Sequence, residues 1–286
     1  MQLKNFFILL CVVHFSFGAK ALVTEWESNL PENSQFNVSK TMKARVDFWK
    51  RIYAEVSESE GLFHNVDDPG IVYSKIDLSN IKKSKHMNAS QKAKSISKLI
   101  DDERLRIAKK HKIKNIKTIR LQMGLKERMQ KALFVSGKYL PMMEDVFEKK
   151  GLPLELTRLV FVESSFNIRA QSKVGASGLW QIMPFVAKPE GYIKEYYDKR
   201  NHPYYATLLA ADILATNHKS LKRWPLAITA YNHGLTGVRR MAAMNETEDI
   251  SKLIQTTKKT RTWGFASSNF YACFLAVLEV EREAQS

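Results

Sequence analysis

The sequence predicts an all-α fold. Apolar residues recur at three- and four-residue spacings over most of its length, as in "VDFWKRIYAEV" and in the series Leu152, Leu156, Leu159, Val160. Proline and glycine also stand where helices start and stop: Pro153 and Pro225 open such stretches, and Gly234 closes one. Proline suits a first helical turn because its missing N–H has no partner there anyway, and glycine suits the exit.

The N-terminus has the order of a secretory signal: Lys4, an apolar run from Phe6 to Phe17, then Gly18-Ala19-Lys20-Ala21. It is read as residues 1–18, removed on export to the periplasm or cell envelope. An uncleaved anchor is the other reading of the same run, although the run is short for a membrane span. Residues 19–124 form a helical N-terminal extension. Val46, Trp49, Ile52, Tyr53 and Val56 lie at helical intervals, with Gly61 marking the end of that helix. "HNVDDPGIVYSKIDLS" carries turn residues and a short β-branched run, which fits one strand or an extended arm. Helical patterning resumes from Ala89 to Lys150, and a last unit is expected over residues 125–286.

The chain has 286 residues and a formal charge of +16, from 45 Lys and Arg against 29 Asp and Glu. The basic residues are dispersed and match no nucleic-acid motif, so no nucleic-acid partner is expected. A solvated surface accounts for the charge as readily as attraction to an anionic extracellular polymer does. The two cysteines are Cys11, inside the signal, and Cys273, among apolar neighbours. Cys273 reads as a small core residue, and no disulfide is expected in the exported chain.

Glu163 is the next position on the Leu152–Leu156–Leu159–Val160 stripe. A carboxyl on an apolar face loses hydration, which favours the neutral form and raises its pKa, as a general acid requires. A glutamate at a frayed helix end, bonded to backbone, would give the same pattern. "SKVGASGLWQIMP" follows, with Gly175 and Gly178 for tight turns, Ser172 and Ser177 as short hydrogen-bonding groups, and Gln181 beside Trp180. In "WPLAITAYNHGLTG", Tyr231 and Asn232 fall in the last turn of a helix. His202, His218 and His233 are scattered without metal-ligand spacing, and Ser164 and Ser165 lack the glycine elbow of serine hydrolases, so neither metal nor cofactor is expected.

Together "GLPLELTRLVFVESSFN", "SKVGASGLWQIMP", "YYDKRNHPYYATLLAADIL" and "LAITAYNHG" resemble the soluble lytic transglycosylase (SLT) catalytic domain, most closely the membrane-bound lytic transglycosylase D type, from Leu125 to Glu281. The resemblance implies a goose-lysozyme-like helical fold. It implies that Glu163, in the E-S-x-F/W pattern, is the acid and base, and that Ser165 supports it. Ser172, Ser177, Gly178, Gln181 and Met183, with Gly175 and Pro184, would belong to the glycan-binding floor. Tyr231 and Asn232 match the A-Y-N motif, whose tyrosine sits beside the acid, and Asp198 and Arg200 match a D-x-R element read as structural. Two departures stand out: Ser267 replaces a glutamate that many relatives carry in an E-T-x-x-Y segment, and the LysM wall-binding repeats common in the type D group are not seen in the sequence.

The activity implied is cleavage of the MurNAc–GlcNAc β-1,4 bond without water, leaving a 1,6-anhydroMurNAc end. A hydrolytic muramidase and a catalytically idle wall-binding protein are the alternatives. The expected partners are glycan strands of peptidoglycan, with peripheral membrane or wall association, and the chain is expected to be a monomer.

Overall fold

The computed structural model describes residues 34–260 and 262–285. The signal and Cys11 lie outside them. The described chain is mostly helical, as expected. The first helix, α1 (Lys43–Ala54), buries Val46, Phe48, Trp49, Ile52 and Tyr53 on one face. It lies along the last helix, α12 (Phe265–Gln285), whose residues from Ser267 to Leu278 are all buried. Such a helix, apolar on nearly every side, is stable only as the centre of a larger structure. Around it pack α9 (Trp224–His233) and α6 (Leu159–Glu163). α4 (Lys126–Ser136), α5 (Leu140–Lys149), α8 (Pro203–Leu221), α10 (Leu235–Met244) and α11 (Ile250–Thr256) complete this body, with the single-turn α7 (Pro184–Ala187) and a two-residue ribbon of β4 (Ile193–Lys194) and β5 (Tyr197–Asp198). No helix among the described residues is long and apolar enough to cross a membrane.

The extension is less helical than its sequence suggests. β1 (Glu60–Asn65), β2 (Val72–Asp77) and β3 (Ile119–Met123) form an antiparallel sheet in the order β2-β1-β3. With α2 (Ser79–Lys83) and α3 (Ala89–Lys110) it encloses a small separate core of Phe63, Ile76, Leu78, Ile107, Ala108 and Ile119. Two expectations are corrected. Gly61 ends no helix: it lies inside β1, where an added Cβ would come within 2.7 Å of Leu121 Cδ1. The helical stretch 89–150 is interrupted by β3, because pairing with β1 satisfies the backbone of Ile119–Met123 and outweighs local preference. α1, by contrast, belongs to the main core, which runs without a break from Phe36 and Trp49 to Phe147, Trp180 and Phe274.

A buried ion cluster fixes the segment that leads to Glu163. Arg158, fully buried, donates through Nε and Nη2 to Glu281 of α12 at 2.9 Å each, and through Nη1 to Glu144 of α5. A guanidinium held by two carboxylates on different helices leaves α6 little freedom, since breaking a buried pair strands a charge in low dielectric.

Candidate active site

The segment entering the site begins as a 3-10 helix, Leu154–Arg158, and becomes α-helical only at Leu159. The apolar stripe survives this change: Leu156, Leu159 and Val160 are fully buried. Glu163 is the last residue of α6, and the chain then turns sharply through Ser165 and Phe166, with φ of 51° and 57°. Two successive non-glycine residues in the left-handed region mark a turn held by its surroundings. Phe166 supplies the hold: it is buried edge-on against Phe161, with ring centroids 4.7 Å apart.

Glu163 opens on a cleft of about 520 Å³, which it shares with Tyr53, Arg128, Ser164, Ser165 and Arg169. It is the one carboxyl group among the lining residues. No hydrogen bond or ion pair from the described residues reaches it, and burial pushes its pKa up to about 8. At neutral pH the group is therefore largely a neutral acid able to give a proton away. Tyr231 stands near enough to feel its charge; the phenol pKa is raised well above 10 by burial first and by Glu163 second. Its hydroxyl donates to the Trp180 carbonyl at 2.9 Å. α9 has the predicted shape, with Pro225 in its first turn and Gly234, φ 93°, at its exit, and this places Tyr231 and Asn232 in the last turn.

The remaining predicted residues build the loop that follows the cleft-lining Arg169, Ala170 and Gln171. Ser172 Oγ accepts from Ala176 N at 2.8 Å, and buried Ser177 Oγ donates to Asn201 Oδ1 at 2.8 Å. Gly178 has φ +77°, and a Cβ there would lie 2.2 Å from the Arg200 carbonyl oxygen, so both backbone shape and space require glycine. Gln181 Nε2 donates to the carbonyls of Ala170 and Gly178, and the Met183 carbonyl accepts from Val186 and Ala187 in the first turn of α7. Arg200 ties the loop together, donating to the carbonyls of Gly175 and Ile182 while paired with Asp198. Glu163 and Ser165 line one cleft and Tyr231 lies within reach of the acid's charge, whereas Ser172 bonds within the loop and Ser177 and Gln181 tie the loop to Asn201 and Ala170 on either side of it. Asn232 is exposed, and its Oδ1 accepts from Ser267 Oγ at 2.9 Å, so the serine that departs from the familiar pattern stays connected to the A-Y-N turn.

Residues 146–254 match the family described as Transglycosylase SLT domain. That stretch is similar to transglycosylase SLT domains. Over 117 residues it is 37% identical to the "Putative tributyltin chloride resistance protein" of Alteromonas sp. (strain M-1), covering 40% of this chain and 56% of that relative. Over 101 residues it is 32% identical to "Membrane-bound lytic murein transglycosylase D" of Escherichia coli (strain K12), covering 35% of this chain and 22% of the relative. The chain therefore spans about half or less of the length of these relatives. Glu163, the loop of residues 172–184 and the A-Y-N turn all fall within the SLT match. Tyr53, Arg128 and Arg169 also line the cleft, and the sequence reading passed over all three. Tyr53 looked like one more apolar position on α1, and the two arginines were lost among many basic residues. Only Arg169 of these lies within the match.

Proposed function

We propose that the protein is a peptidoglycan lytic transglycosylase that cuts the MurNAc–GlcNAc β-1,4 bond without water and leaves a 1,6-anhydroMurNAc end. The observation that carries this reading is the solitary, neutral Glu163 in a cleft whose described lining residues include no second carboxyl group. Ordinary glycosidases need two carboxyl groups, because water or an enzyme nucleophile must be activated separately from the leaving group. When the muramic sugar supplies its own C6 hydroxyl, one carboxyl serves in turn as acid and base. Glu163 gives its proton to the glycosidic oxygen as the C1–O bond breaks. The C6 oxygen then bonds to C1, and its proton returns to Glu163. The nucleophile is already tethered, so the attack has the effective-concentration advantage of an intramolecular reaction.

Tyr231 borders the acid and would fix the sugar or the carboxylate as charge develops. Ser172, Ser177, Gly178, Gln181 and Met183 act chiefly by giving the glycan-facing loop its shape. Export to the envelope, as the N-terminal signal suggests, places the chain with its polymer. The test is digestion of purified sacculi followed by mass analysis of the released muropeptides. The expected products are lighter by one water than muramidase products and resist borohydride reduction. Reducible products alone would make water the nucleophile and overturn the proposal, and so would no release across varied pH and salt.

A further inference from the structure

α1 is delivered to the active site in a fixed register. Asn269 of α12, almost fully buried, accepts through Oδ1 from Arg45 Nη1 at 2.8 Å and from Trp49 Nε1 at 3.0 Å. Lys50 of the same helix pairs with Glu279 and Glu283 farther along α12. One turn beyond Trp49, this anchoring carries Tyr53 to the wall of the cleft that holds Glu163. Tyr53 is 6% exposed. It lies against the buried Cys273 thiol of α12, and burial, Cys273 and the charge of Glu163 together hold the phenol well above its usual pKa. Tyr53 thus places a hydroxyl within the field of the one carboxyl group among the described residues that line the cleft.

We propose that Tyr53 is a positioning residue for Glu163: its hydroxyl turns from the Cys273 sulfur to the Glu163 carboxylate once the acid has given up its proton, so that the catalytic centre is completed from outside the matched SLT segment. The inference rests on the function proposed above. Transfer of the proton leaves a carboxylate where burial disfavours charge, and a hydrogen bond to it is worth more than one to a neutral thiol. The titratable and charged groups around this point are Tyr53 on α1, Arg128 on α4, Tyr231 on α9, Cys273 on α12 and Arg169 on the loop after α6. Arg45 also acts on Cys273 from α1. Of these, Tyr53 has a hydroxyl whose neighbour on α12 is a thiol, a weak acceptor, so turning it costs little.

The test is titration of the Glu163 carboxyl by 13C NMR in wild type, Tyr53→Phe and Cys273→Ala, a readout that does not depend on turnover. Losing the phenol oxygen should raise the Glu163 pKa by about half a unit or more, and removing the competing sulfur should lower it. On sacculi, Tyr53→Phe should lose about tenfold in kcat with KM nearly unchanged, as expected for a bond made after substrate binds. An unchanged Glu163 titration in both variants would overturn the proposal. Should Tyr53→Phe fail to fold, Cys273→Ala decides alone, and no downward shift overturns it. Shifts in the expected directions with no anhydro product would uphold the Tyr53–Glu163 contact while refuting the transglycosylase reading.

Discussion

Replacing Glu163 by glutamine should make the protein inactive and more stable, and the gain should depend on pH in a way that only an unpaired buried acid produces. In the folded chain the carboxyl holds its proton up to a pKa of about 8, against 4.5 for an ordinary glutamate. Between these values the unfolded chain has lost a proton that the folded chain keeps, so rising pH favours unfolding. The stability associated with the raised pKa is fully present below pH 4.5 and is lost as pH climbs toward 8. At pH 7 the interval from 4.5 spans about 2.5 pH units, and at about 1.4 kcal/mol each the ceiling is about 3.5 kcal/mol. The carboxyl also meets solvent through the cleft, which lowers the expected gain for Glu163→Gln to about 1–3 kcal/mol, or several degrees in Tm. Urea unfolding of both proteins from pH 4 to 9 measures it. The curves should coincide near pH 4, diverge through neutrality and run parallel above pH 8. Parallel curves throughout, or a less stable variant at pH 7, would refute the claim that Glu163 is held neutral by burial. In the same variant, turnover of sacculi should fall by about a hundredfold or more, because the amide can neither give nor take the proton.

Tyr231→Phe removes the hydroxyl bonded to the Trp180 carbonyl while keeping the ring, so the fold should persist and kcat should drop about tenfold. Unchanged kcat would make that hydroxyl purely structural. Arg158→Met leaves Glu144 and Glu281 buried without their shared cation and should cost about 3–5 kcal/mol in urea unfolding at pH 7. An unmoved midpoint would show that the ion cluster does not fix the approach to α6. Wild-type activity should decline on the alkaline side as Glu163 loses its proton near pH 8. A flat profile through pH 9 would point to another acid.

Much of the site is legible in the sequence because its determinants are local. The stripe that ends at Glu163, Pro225 and Gly234 bounding the Tyr231 helix, and Gly178 at a positive φ each follow from spacing or steric need within a short stretch. The D-x-R pair belongs with them, since Asp198 and Arg200 are close enough in sequence to find each other. Cys273 likewise reads correctly as a core residue, for it lies within a long apolar run.

What the sequence could not determine are partnerships across long separations. β3 looks helical until β1 is beside it, because a strand's preference is settled by what it pairs with. Nothing local sets Arg158 apart from the other basic residues, and only folding brings Glu144 and Glu281 from two other helices to surround it. Tyr53 is the sharpest case. Its place on the apolar face of α1 is set by periodicity, but its presence at the cleft depends on how α1 lies along α12, and that register is set by Asn269 gripping Arg45 and Trp49. Local sequence determines which face of a helix is apolar; the residues that meet at that face are chosen by packing, which is a property of the whole chain.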